Sequence, residues 1–210
     1  MGNTRRFRAL SALRAVGGTR LAQWGLGLLA LALAAALYPM SAAAASAAAD
    51  RIVLPPERRE VQSPSGQFVL VLGTADRWKT PYGARAEVYR LDPTGRSLVW
   101  RRDLPHYHGP RRALVTDQGE VLLADEWINV VSRFAIVVIA PDNQLRATYT
   151  AREVFAKLGV PPREISARAK AGPWISEGPV LSDDGHSALF VAGGRRLDVN
   201  LSDGSITIRD

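Results

Sequence analysis

LVTDQGEVLLADEW, residues 114–127, decides how the rest of the chain is read. Apolar residues lead into Thr-Asp-Gln-Gly and apolar residues lead out, the pattern of two strands joined by a tight turn. Taken as a four-residue turn, TDQG sets Val115 opposite Glu120, Pro110 opposite Asp125 and His108 opposite Trp127. The preceding LPHYHG (104–109) and the closing DEW (125–127) then meet at one end of a single hairpin. His106, Tyr107, His108, Asp125, Glu126 and Trp127 are therefore the candidate site. Two imidazoles and a carboxylate form a donor set for a metal with open positions. The spacing argues the other way, because Pro105 and Gly109-Pro110 break the strand that would put both rings on one face. On the simpler reading, Asp125 or Glu126 pairs with Arg111 or Arg112 across the hairpin. Trp127 then caps the core, and the histidines lie in a solvated loop.

The same punctuation recurs on both sides of this hairpin. SPSG (63–66), DPTG (92–95), APDNQ (140–144), SDDG (182–185) and SDG (202–204) are turn sequences between short strand-like runs. Leu145, Ala147 and Tyr149 alternate with Arg146 and Thr148; Leu197, Val199 and Leu201 alternate with Arg196, Asp198 and Asn200. Ile206 and Ile208 oppose Thr207 and Arg209 in the same way. Such period-two alternation places one face on a core and the other in water. FVLVL (68–72) and FAIVVIA (134–140) are apolar on both faces, so central strands are expected there. Trp100 shares a face with Leu98 and is expected in the core, whereas Trp78 and Tyr82, in DRWKTPYG, are candidate exposed contacts.

One helix is expected near 150–158. Thr150 and Glu153 make a capping box, Gly159 stops the helix, and Pro161-Pro162 forbid its continuation. A further helical turn within 161–172 is compatible with the sequence. About ten strands and one short helix define a mainly β class, an antiparallel meander built as a propeller-like partial stack, a barrel or a sandwich. Ten strands are too few for a closed propeller of four-stranded blades. SPSGQFVLVL, LVTDQGEVLLADEW and VLSDDGHSALFV resemble a loose group of exported bacterial proteins with propeller-like β-hairpin repeats. The resemblance covers about half of the mature chain and implies no activity.

Residues 1–49 are unlike the rest. They hold Arg5, Arg6, Arg8, Arg14 and Arg20 without an acid, then an apolar run from Leu21 to Tyr38, then SAAAASAAAD. A basic start, an apolar middle and small residues at the end describe a signal peptide, cleaved to leave a chain starting near Asp50. An uncleaved anchor at 21–40 is the alternative, since the run approaches the length that spans a bilayer. Residues 50–63 read as a linker or N-terminal arm and 64–210 as a single β-rich domain. Removing the five leader arginines lowers the net charge from +7 to +2, from 22 cations and 20 acids. The remaining arginine pairs are dispersed among acids, so nucleic acid is not an expected partner. The membrane would enter only through the leader.

The chain has no cysteine, which excludes disulfides, thiolate metal sites and a lipid-bearing cysteine. The nearest approach to a serine-hydrolase elbow is WISEG (174–178), where a tryptophan replaces the first glycine. Phosphate-cradling glycine loops are missing, and SDDGHS lacks the alternating acids of a calcium loop. No cofactor is implied. The composition thus favours an exported, non-enzymatic binding or interaction module whose partner is an envelope protein or a glycan. A metal-dependent enzyme centred on 106–108 and 125–127, or a structural accessory acting through edge-strand pairing, are the alternatives.

Overall fold

The computed structural model describes residues 53–209; the expected signal peptide, or its alternative as an anchor, lies outside them. Among these residues there are two helices and twelve strands, the strands forming three four-stranded sheets, each a simple antiparallel meander. The first sheet contains β1 (Arg58–Gln62), β2 (Phe68–Thr74), β3 (Ala84–Asp92) and β4 (Gly95–Asp103). The second contains β5 (Pro110–Val115), β6 (Val121–Glu126), β7 (Ile136–Ile139) and β8 (Leu145–Tyr149). Helices α1 (Ala151–Lys157) and α2 (Pro162–Ala171) follow, and the third sheet contains β9 (Ile175–Leu181), β10 (Ser187–Ala192), β11 (Arg195–Asn200) and β12 (Ile206–Arg209). Among the described residues no sheet closes into a barrel, and three sheets packed in succession through two separate cores make a partial stack. The strand count exceeds ten partly because RREVQ, charged enough to read as an arm, pairs along β2 as β1.

Apolar pattern dictates the stacking. The inner face of the first sheet presents Leu70, Leu72, Ala86, Val88 and Trp100 to Val115, Val121, Leu123, Val137 and Ile139 of the second. The opposite face of the second sheet, with Leu114, Leu122, Ala124, Ile136 and Val138, meets Phe155, Ile165, Phe190, Leu197 and Val199. The second sheet is therefore covered on both sides, and β6 and β7 are buried throughout. FVLVL and FAIVVIA occupy interior strands, as their two-faced apolar pattern requires. The helices fill the space between the second and third sheets, where Trp174 packs with Phe155 and Phe190.

The capping box is formed as expected: the Thr150 hydroxyl accepts from the Glu153 amide, and the Glu153 carboxylate accepts from the Thr150 amide. The possible turn after Pro161 is a ten-residue helix with proline in its first turn, where no intrahelical N–H is needed.

Three expectations are corrected. TDQG closes with a three-residue loop, because Thr116 N–H donates to Glu120 O at 2.9 Å and Gly119 takes a left-handed φ of 85°. Val115 consequently faces Val121, and Pro110 faces Glu126, a one-residue shift that exchanges the faces of every later partner. Leu98 does not share the core with Trp100: Val88 faces Trp100 but Tyr89 faces Leu98, so a bulge at Val99 leaves Leu98 exposed. The same device at Arg146 turns Leu145 into solvent.

Candidate functional site

The loop before β5 and the end of β6 do meet, and the chemistry between them is mostly internal. Glu126 lies opposite Pro110 and turns its carboxylate inward. One oxygen accepts the Tyr107 amide at 2.5 Å and the other accepts the Ser132 hydroxyl at 2.8 Å. It thereby ties the His-Tyr-His loop to the segment that leads into β7. Burial pushes the Glu126 carboxyl up to about 7, against the two hydrogen bonds and with help from the neighbouring Asp125 charge.

Asp125 ends the regular strand in a left-handed conformation, φ 62°, with its amide donating to Ala135 O. One carboxylate oxygen accepts the Glu126 amide, and the other lies 3.4 Å from Arg111 Nε with no aligned hydrogen bond. Burial raises this carboxyl to about 6 despite the opposing Arg111 charge. The expected cross-hairpin ion pair is thus present, between Arg111 and Asp125. Arg111 also donates to the carbonyls of Glu126 and Trp127 and to the Asn129 side chain. Arg112 points the other way, donating to the Gly178 and Ile175 carbonyls of β9.

The histidines are not in a solvated loop. His106 is fully buried, its ring centroid 5.7 Å from that of Phe134, and it borders a cavity of about 80 Å³ with Arg102 and Thr148. Neither ring nitrogen has an aligned protein partner. Desolvation pushes its pKa down to about 4, opposed by the Phe134 backbone, so the imidazole is neutral through the physiological range. His108 is also buried, and its left-handed backbone, φ 58°, lets its amide donate to Pro81 O at 2.6 Å. Proline and glycine do break the strand here, as their positions predict. The broken segment folds inward because Glu126 and the Pro81 carbonyl supply its backbone partners.

That inward fold brings two loops together. The His108 ring lies 5.9 Å from Trp78 and 4.8 Å from Tyr107, and Tyr107 stands edge-on to Tyr82 at 5.3 Å. Tyr82 is 64% exposed, while Trp78 is half-buried against the core of the first two sheets. Trp127 does not cap the core. Its indole N–H donates to the Val53 carbonyl at 2.7 Å, and the Arg59 guanidinium stands 6.0 Å from its ring, so it pins the N-terminal arm instead. Of the expected site residues, the structure assembles Trp78, Tyr82, Tyr107 and His108 as one aromatic cluster, with Asp125 and Glu126 as its buried support. Ser132 and Arg111 complete that support. Arg111 is expected from the hairpin as an ion-pair partner; Ser132 does not stand out, since a serine in a polar stretch carries no signal until the chain folds back.

Among the described residues no group of three or more histidines, aspartates or glutamates is placed to hold a metal ion. None of the described helices is long and apolar enough to cross a membrane. No family model, curated protein or solved structure matches the chain.

Proposed function

We propose that the protein is an exported interaction module of the cell envelope, and that it takes a glycan or peptide on the aromatic cluster formed by Trp78, Tyr82, Tyr107 and His108. The convergence of Tyr82 and Tyr107 from separate loops is the observation that carries this reading. Aromatic side chains give large, rigid contact area, and their edges and hydroxyls orient a polar ligand. Functional contacts are commonly built on loops held by a rigid scaffold, and here the buried Glu126 supplies the rigidity. The carboxylates lean towards a structural role, because the hydrogen bonds of Glu126 are already used within the fold.

Export follows from the leader sequence, and chain recovered from the periplasm or medium should begin between Ala45 and Asp50. Binding is tested by exposing that recovered protein to arrayed envelope glycans and peptides. Tyr82→Ala should lose at least tenfold in affinity for whatever the wild type retains, with its melting temperature unchanged. Retention of full affinity by the folded variant would refute the assignment of this cluster.

A further inference from the structure

The two ends of the three-sheet stack are finished differently. On the outer face of the first sheet every acid is matched. Glu60 meets Arg58 and Arg96 at 2.7 and 3.0 Å, Glu87 meets Arg101 at 2.6 Å, and Asp103 meets Arg85 at 2.8 Å. This is a capped end, polar where a stack must face water. The third sheet ends otherwise. Its strand β10, SALFVA, is apolar on both faces: Ala188, Phe190 and Ala192 are buried inward, while Leu189 and Val191 point out. Val180 beside them is 59% exposed, and these three side chains line an open groove of about 280 Å³. A strand apolar on both faces belongs in a sheet covered on both sides. Here one cover is present and the other is not supplied by the described chain.

Charge fixes what the cover is. One cross-strand row of this outer face reads Glu177 on β9, Val191 on β10, Arg196 on β11 and Arg209 on β12. Arg209 is held by Asp198. Glu177 and Arg196 flank Val191 on opposite sides, and neither side chain makes an ion pair or hydrogen bond among the described residues.

We infer that the third sheet is the dimer face of this protein, covered by the third sheet of a second copy about a two-fold axis running along β10. Such an axis sets Leu189 and Val191 over their own counterparts. Because β9 and β11 lie on either side of β10, it also sets Glu177 of each copy opposite Arg196 of the other. Face-to-face sheets pack with strands within about 30° of each other, which keeps these rows in register over a strand six residues long. Self-complementarity of one patch is what a two-fold interface demands. Stacking on the first sheet of a second copy would instead desolvate four ion pairs, against the single Arg209–Asp198 pair of this face among the described residues, at a cost that their attraction rarely recovers. Four strands at roughly 4.8 Å spacing and six residues at about 3.3 Å give a projected face of about 400 Å² per copy. That lies at the low end for specific interfaces, so the dimer forms and dissociates with concentration.

The natural absence of cysteine makes the test clean. Full-length chain carrying Val191→Cys should form a disulfide-linked dimer under mild oxidation, because the axis brings each position 191 beside its copy. Chain carrying Glu87→Cys, on the capped face, should form no disulfide-linked dimer while still associating through its third sheet. In sedimentation velocity Glu177→Arg should weaken the dimer at least tenfold, and Glu177→Arg/Arg196→Glu should restore it. A Val191→Cys chain that does not cross-link would overturn the inference. So would a mixed Val191→Cys/Glu87→Cys species, which means head-to-tail stacking, or a double reversal that restores nothing. Ligand binding at Tyr82 is read separately and is unaffected by any of these outcomes.

Discussion

Glu126 accepts the Tyr107 amide and His106 precedes Tyr107 in the chain, and burial shifts the two groups in opposite directions. The folded state holds Glu126 as its acid, up to about 7 from an ordinary 4.5, so its stabilising contribution is full below pH 4.5 and lost as pH rises through about 7. His106 is held neutral, down to about 4 from 6.5, so its contribution is full above pH 6.5 and lost as pH falls through about 4. Glu126→Gln keeps an acceptor for the Tyr107 amide and a group for the Ser132 hydroxyl while removing the buried charge. This variant should match the wild type below pH 4.5 and exceed it at pH 8, by up to roughly 3 kcal/mol. His106→Leu should remove the acid-side loss between pH 6.5 and 4. Thermal melts of the two variants across pH 4–8 check both statements, and parallel curves for wild type and variants would contradict them.

Single elements depend on one or two backbone decisions. Gly119 is the residue that shortens the TDQG loop, and a Cβ there would sit 3.0 Å from the Phe68 ring at a φ that L-residues resist. Gly119→Ala should therefore cost about 1–2 kcal/mol, measured by denaturant unfolding, with no change in the aromatic cluster it does not touch. Strand β7 is vulnerable for a different reason. Val138 is fully buried among Leu122, Ala147 and the helices, so Val138→Asp places a charge where no cation waits. The variant should fail to fold, because an unpaired buried charge costs more than a domain's whole margin of stability. Soluble protein with a normal melting transition would show that the second sheet is not covered on both faces.

At the scale of the whole molecule, burial is graded along the stack. The second sheet lies between two apolar layers, so its β6 and β7 amides should exchange with solvent most slowly. Those of the exposed edge strand β4 should exchange fastest among the strands. Hydrogen exchange read by mass spectrometry would show the reverse order if the outer sheets were the stable unit. Much of this architecture was legible in the chain. Turn residues at regular intervals, period-two alternation and two runs apolar on both faces together determine a mainly β meander with interior strands at 68–72 and 134–140. Thr150, Glu153 and Gly159 determine α1. These are local matters, settled by φ preference and by which face of a strand is oily. The register of the TDQG hairpin, the bulges at Val99 and Arg146 and the burial of His106 were decided only by the tertiary structure. Each hangs on a competition between one backbone step and distant packing: Gly119 against Phe68, Leu98 against Trp100, the His-Tyr-His loop against Glu126 and Pro81. The aromatic cluster belongs to the same category, since Tyr82 and Tyr107 come together only when separate loops fold over a shared core.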